Sequence, residues 1–244
     1  MVIGNFRIYQ DSMLVAEALA NEIASLVAMA GKQGLPFSMA LSGGSTPDLL
    51  FEALVTGYSG TPGWERVSFF WVDERCVPPD DPESNFGSAK RLLLRHINVP
   101  EANIHRIWGE ADPASEISRY AGVLTGNLPV RNNWPEFDLI LLGIGEDGHT
   151  GSIFPGNLGL FEADKLCEMT VHPGTGQKRI TITGKVINNA KRLIFLATGH
   201  KKAHILEAIH KKTTESLNFP AAFVKPENGE LIWYVDGEAG KFIR

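Results

Sequence analysis

The segment Leu139-Ile140-Leu141-Leu142-Gly143-Ile144-Gly145-Glu146-Asp147-Gly148-His149-Thr150 constrains the fold more than any other. Consecutive Leu and Ile residues leave no polar face, so a strand over 137–142 has to be buried on both sides. That environment is the middle of a parallel sheet covered by helices. The chain then empties into glycines and a titratable pair. In open α/β sheets, ligands sit in the crevice beyond the carboxyl ends of the strands. Asp147 and His149 are therefore expected where such a fold builds its site.

Helix and strand signals alternate along the rest of the chain. Strands are expected over 3–9, 36–41, 67–72, 104–107, 179–183, 192–197, 221–224 and 230–235. A first helix, capped by Asp11 or Ser12, carries Leu14, Val15, Ala18, Leu19, Ile23, Leu26 and Val27 at three- and four-residue spacing. Gly31 and Gly34 are expected to end it. Further helices are expected over 47–56, 86–96, 114–126 and 201–210, with a short helical turn over 185–189. Asp112 caps the 114–126 helix, with Pro113 in its first turn. This order, with strands too hydrophobic for a one-sided sheet, predicts an α/β fold. The expected architecture is Rossmann-like and doubly wound, a mostly parallel sheet with helices on both faces. No repeat or low-complexity linker divides the chain, so a single domain over 1–244 is expected, with loops 76–84 and 155–177 covering the site.

Charge and composition narrow the function classes. Lys plus Arg number 23 against 28 Asp plus Glu, a net charge of −5. That balance offers no basic footprint for nucleic acid or an anionic membrane surface. Any bound anion must be held by local groups. Cys76 and Cys167 form no CxxC pair, which suits free thiols in a reducing compartment. No basic segment followed by an apolar one opens the chain, and no apolar run approaches the ~20 residues of a membrane helix. A soluble, cytoplasmic protein with neither nucleic acid nor membrane as partner is expected.

Four groups of residues can carry chemistry. Ser42-Gly43-Gly44-Ser45-Thr46-Pro47 follows a strand and opens a helix. Glycines there admit a ligand close to the backbone, the hydroxyls add donors, and a helix N-terminus favours an anion such as phosphate. The plainer alternative is a capped tight turn. Asp73-Glu74-Arg75 ends another strand and faces the same crevice, or forms a solvated ion pair of little consequence. Ser84 suits a helix cap, and Asn85 can donate to ligand hydroxyls. Asp147 can orient the His149 imidazole and stabilise its cation, which suits a general base. His149 has no His or Cys partner at ligand spacing, so no metal is expected. Arg179 and Lys202 can each reach a phosphate at 42–46, or stand as surface charges.

Taken in order, these segments resemble the 6-phosphogluconolactonase family. The matching pieces are Ser42-Gly43-Gly44-Ser45-Thr46-Pro47, Asp73-Glu74-Arg75, Ser84-Asn85, Gly143 through Thr150 and Arg179-Ile180-Thr181-Ile182-Thr183. Ile187-Asn188-Asn189-Ala190 and Gly199-His200-Lys201-Lys202-Ala203 extend the likeness. The resemblance implies a Rossmann-like fold and a hydrolase without metal or cofactor, acting on a phosphorylated sugar lactone. Expected roles follow from it. His149 is the base, with Asp147 or a nearby carboxylate keeping its ring oriented. Arg75 grips the oxyanion or lactone oxygens, while Asp73 bonds sugar hydroxyls or orients Arg75. Ser42, Gly43, Gly44, Ser45 and Thr46, with Arg179 and Lys202, hold the phosphate, and Asn85 meets ligand hydroxyls. Ser152, without a partner base, is expected to be structural.

Glucosamine-6-phosphate deaminases share that fold and give the rival expectation. They carry a Glu where Phe154 stands and usually a Tyr at the place of Arg75, and both departures favour the lactonase. Gly151, where lactonases commonly have Ala, is a conservative difference. A non-catalytic sugar-phosphate sensor is the alternative from another class.

Overall fold

The computed structural model describes residues 4–243. Ile3, in the expected 3–9 strand, lies outside the described residues. From the N-terminus the chain runs β1 (Asn5–Tyr9), α1 (Ser12–Gln33), β2 (Phe37–Leu41), α2 (Ser45–Tyr58), β3 (Val67–Trp71), β4 (Asp73–Arg75), α3 (Asn85–Ala89), β5 (Ile104–His105) and α4 (Pro113–Asn127). It continues with β6 (Val130–Arg131), β7 (Trp134–Pro135), β8 (Leu139–Gly143), β9 (Cys167–Val171), β10 (Lys178–Ile182), α5 (Gly184–Asn188), β11 (Arg192–Ala197), α6 (Ala203–Lys211) and β12 (Glu230–Asp236).

Seven strands form one parallel sheet in the order β1-β12-β11-β8-β2-β3-β5, with helices around it. β8 sits between β2 and β11, and Leu139 through Leu142 are buried. That position is why its sequence shows no alternation. From β2 the chain steps outward through β3 to β5, and from β8 it steps the other way through β11 to β12. The order reverses between β2 and β8, so their carboxyl ends flank the switch point where such folds bind ligands.

The helices form where caps and apolar stripes coincide. Asp11 caps α1 by accepting from Leu14 N (2.9 Å), and Gly34 ends it in the left-handed region (φ 68°). Gly31 lies inside α1, not at its end, and serves close packing: a Cβ there would meet Gly63 Cα at 2.7 Å. Contrary to the expectation from apolar runs, α1 is long and apolar enough to cross a membrane by length and composition. Its Val15, Leu19, Ile23 and Val27 are instead fully buried in the core. Glu22 on its flank is held by Arg7, Arg192 and Tyr234. Asp112 and Pro113 start α4 as expected.

Several expectations need correction. Residues 73–75 do not end the preceding strand but form β4, which pairs with β10 in a separate antiparallel sheet of order β4-β10-β9. The 179–183 strand belongs to that sheet, and β9 lies inside the expected 155–177 loop. The 86–96 helix is the short α3 followed by a π-helical turn over Lys90–Leu94. The wider turn lets the consecutive Leu93 and Leu94 both enter the core. Residues 221–224 are not a strand. Pro220–Phe223 is a turn of 3-10 helix, docked where Ala221 N donates to Gly148 O (3.0 Å). The 201–210 helix opens as a 3-10 turn, His200–Lys202, before α6. A further hairpin, β6–β7, turns through Asn132 and Asn133, both left-handed (φ 51° and 67°).

Candidate active site

At the switch point one cleft brings together Ser42, Gly43, Asp73, Arg75, Asn85, His149 and Arg179. Gly44, Ser45, Thr46, Asp147 and Lys202 lie outside its lining. The segment leaving β8 folds into a tight loop in which Gly145 N donates to His149 O (2.8 Å) and Gly148 adopts φ 81°. A Cβ on Gly145 would come within 2.0 Å of His149 Nδ1, so the loop wraps the imidazole only because residue 145 has no side chain. Thr150 Oγ1 ties the loop back to Gly143 O (2.9 Å).

Asp147 supports His149 from outside the cleft. Its Oδ1 accepts from His149 Nδ1 (2.6 Å) and His149 N (3.1 Å). With Nδ1–H donating to the carboxylate, Nε2 carries the free lone pair. Burial alone would raise the Asp147 carboxyl, but the hydrogen bond and charge of His149 bring it down to about 2. It is ionised throughout the neutral range.

The β3–β4 corner supplies the opposite wall. Asp73 Oδ2 accepts from Ser152 Oγ (2.6 Å), and the Asn85 amide donates to Asp73 O (2.9 Å). Asp73 therefore does not orient Arg75, whose Nη1 donates to the Glu83 carbonyl. Glu74 points away from the cleft and pegs the wall in place. It accepts from Asn85 N (2.8 Å), Phe86 N (2.8 Å), Arg75 N (2.8 Å) and Ser84 Oγ (3.1 Å). Burial raises its carboxyl, and the backbone donors pull the other way. Ser84 caps α3, accepting from Gly87 N (3.0 Å).

The 42–46 segment is less uniform than its motif suggests. Ser42 Oγ donates to Leu141 O (2.8 Å), so its proton is committed to the sheet. Thr46 Oγ1 meets Thr198 Oγ1 (3.0 Å). Gly44 stands at the N-cap of α2, where no side chain meets the first-turn amides. Gly43 lies against Asn85, whose Oδ1 would be 1.8 Å from a Cβ at residue 43. That Oδ1 is buried without a hydrogen-bond partner, as is Arg75 Nε. Arg179 donates from Nε to Gln177 Oε1 (3.1 Å), and burial draws its guanidinium below the usual value. Burial likewise lowers Lys202, against the pull of the Glu146 and Asp147 charges, and the residue lies outside the cleft lining. Among the described residues no group of three or more His, Cys, Asp or Glu is placed to hold a metal ion.

Comparison with known proteins assigns the family. The model of the glucosamine-6-phosphate isomerases/6-phosphogluconolactonase family matches residues 10–233. The chain belongs to that family. A curated 6-phosphogluconolactonase of Haemophilus influenzae is 41% identical over 233 residues, covering 95% of this chain and 98% of the relative. The crystal structure of the devB protein superposes with a TM-score of 0.92 at 41% identity, covering 98% of this chain and 99% of that one. The 6-phosphogluconolactonase of Trypanosoma brucei gives a TM-score of 0.89 at 25% identity, covering 100% of both chains.

Within this family of two named activities, Phe154 is informative. It is 1% exposed, and its ring lies 5.0 Å from that of His149 and 5.1 Å from that of His172, with Arg179 Cζ 5.7 Å from its centroid. An apolar wall, not a second proton carrier, therefore backs the imidazole. Gln177 and His172 are site neighbours that the sequence alone does not single out, and Ser152, expected to lack a partner, donates to the Asp73 carboxylate. Ser152 meets a partner 79 positions away, and no local pattern marks such a contact.

Proposed function

We propose that this protein hydrolyses 6-phospho-D-glucono-1,5-lactone to 6-phosphogluconate, the lactone-opening step of the oxidative pentose phosphate pathway. Near full-length identity of 41% with a curated 6-phosphogluconolactonase carries the substrate assignment. The His149–Asp147 pair at the cleft supports the chemistry. His149 Nε2 takes a proton from water as the water oxygen bonds to C1 of the lactone. The carbonyl electrons move onto oxygen, where Arg75 meets the developing charge as a fixed positive group. Collapse breaks the bond from C1 to the ring oxygen, which leaves with the proton held by His149. The acid formed then loses its proton to solvent.

In this reading Asp147 holds the imidazole and balances its charge, while Asp73 and Asn85 meet ring hydroxyls. The uncapped α2 N-terminus at Gly44, Ser45 and Thr46, with the backbone of Ser42 and Gly43, receives the 6-phosphate. Arg179 and Lys202 supply counter-charge. No metal is needed, because His149 provides the base and Arg75 the positive charge. One cytoplasmic domain carries the whole activity.

The test follows lactone generated in place against its spontaneous hydrolysis, with and without EDTA, and assays ammonia release from glucosamine 6-phosphate in parallel. Accelerated lactone decay that survives EDTA, without ammonia, is the expected result. Ammonia release without lactone acceleration would reassign the chain to the deaminases. Binding of 6-phosphogluconate with neither activity would make it a sensor.

A further inference from the structure

We propose that Gln177 is a positioning residue that latches together the two segments flanking the cleft and so fixes Arg179 relative to Arg75. The proposal rests on the lactonase reading for what the two guanidiniums do. The latch itself rests on a chain of contacts. Arg179 Nε donates to Gln177 Oε1 (3.1 Å), and the other end of the same carboxamide, Gln177 Nε2, donates to Glu83 Oε2 (3.0 Å). The carbonyl of Glu83 accepts from Arg75 Nη1, and Glu83 N is held by Asp81 Oδ1 (2.8 Å). A single side chain thus joins residues 94 positions apart and closes a circuit through both site arginines.

The backbone makes such a device necessary. Arg75 on β4 and Arg179 on β10 are directly paired across the small antiparallel sheet. Like charges directly opposite repel and would splay apart in solution. Each is instead held by a separate acceptor, the Glu83 carbonyl for Arg75 and the Gln177 carboxamide for Arg179. The chemistry also selects the residue type. Arg179 offers only donors, and Glu83 accepts at Oε2, so the bridge accepts at one end and donates at the other. A carboxylate at 177 would face Glu83 with like charge, and an ammonium would face Arg179. Gln177 is itself well placed, because its carbonyl accepts from His172 N (2.9 Å) where the β9–β10 hairpin closes.

The experiment compares wild type with Gln177→Ala, Gln177→Glu and the swap Glu83→Gln/Gln177→Glu. It measures KM and kcat for the lactone and the solvent exchange of the Arg179 Nε proton by NMR. Loss of one hydrogen bond to a charged partner is expected to raise KM about three- to tenfold in Gln177→Ala, with kcat within about twofold. Gln177→Glu is expected to raise KM as well, since two carboxylates then oppose each other. The swap restores an acceptor toward Arg179 and a donor from residue 83, so KM and slow Nε exchange should return. A swap no better than Gln177→Glu alone, or wild-type KM and Nε exchange in Gln177→Ala, would overturn the latch. Should wild type fail to open the lactone, the enzymatic reading falls, while the Nε exchange series still decides the latch. Unchanged thermal midpoints across the series separate positioning from loss of folding.

Discussion

His149 and Arg179 line the same cleft but are given different work, and kinetics can separate them. His149→Ala removes the proposed base while leaving the anion-binding groups in place. It should lower kcat by about 10²- to 10⁴-fold and leave the affinity for 6-phosphogluconate nearly unchanged. Arg179→Ala removes a half-buried cation and should raise KM roughly ten- to a hundredfold with a smaller effect on kcat. The reverse pattern would invalidate both roles. Asp147 gives a separate test by titration. Its carboxyl is held at about 2, below the ordinary 3.8, by His149 acting against burial. A lowered carboxyl contributes stability that is complete above the ordinary value and is lost as pH falls through about 2. A carbon-13 NMR titration of Asp147 should therefore find its midpoint near 2, and a midpoint near 3.8 would mean that the His149 bond is not kept in solution.

At the scale of elements, the site depends on how closely the β2–α2 segment approaches the start of α3. Gly43→Ala would set a Cβ within 1.8 Å of Asn85 Oδ1, and Asn85 is pinned by Asp73 at its amide and by Glu74 at its backbone. One of the two segments must move by about an ångström, which in a positioned site costs on the order of a hundredfold in kcat/KM. Because the clash lies at a loop and not in the core, the thermal midpoint should hardly change. Wild-type kcat/KM in Gly43→Ala would show that the 42–46 segment is free to adjust. The same contrast explains what the sequence discloses. β8, α1 and α4 are legible because their signals are local: a continuous apolar run, an Asp cap, a Pro in the first turn. β4 and β9 are not, since each owes its existence to β10 and carries polar residues without clean alternation. The places of His149 and Arg75 at the cleft are legible, because each follows the end of a buried strand, β8 or β3. The partner of Asp73 is not, because Ser152 reaches it from 79 positions away, and neither is the bridge from Gln177 to Glu83, 94 positions apart.

At the scale of the whole molecule, the strand order separates what holds the sheet together from what reacts. The switch point lies between β2 and β8, and β1, β12 and β11 extend the sheet to its far edge. Phe6, Trp233 and Phe195 stand in one cross-strand row there. Trp233 stacks on Phe195 at 3.9 Å and on Phe6 at 5.4 Å. Replacing the fully buried indole by a smaller side chain leaves a cavity in this row. Trp233→Leu should cost about 2–4 kcal/mol, which for a chain of this size lowers the thermal midpoint by roughly 5–12 °C. At temperatures where the variant is folded, kcat and KM should match wild type, because none of the three rings lines the cleft at the switch point. One route could break that separation. β12 ends at Asp236, whose carboxylate accepts from Gly199 N (3.0 Å), just ahead of the turn that carries Lys202. A raised KM with unchanged kcat in Trp233→Leu would mean that displacement of β12 travels along this contact to Lys202, and that the sheet edge helps set the phosphate-binding side of the site.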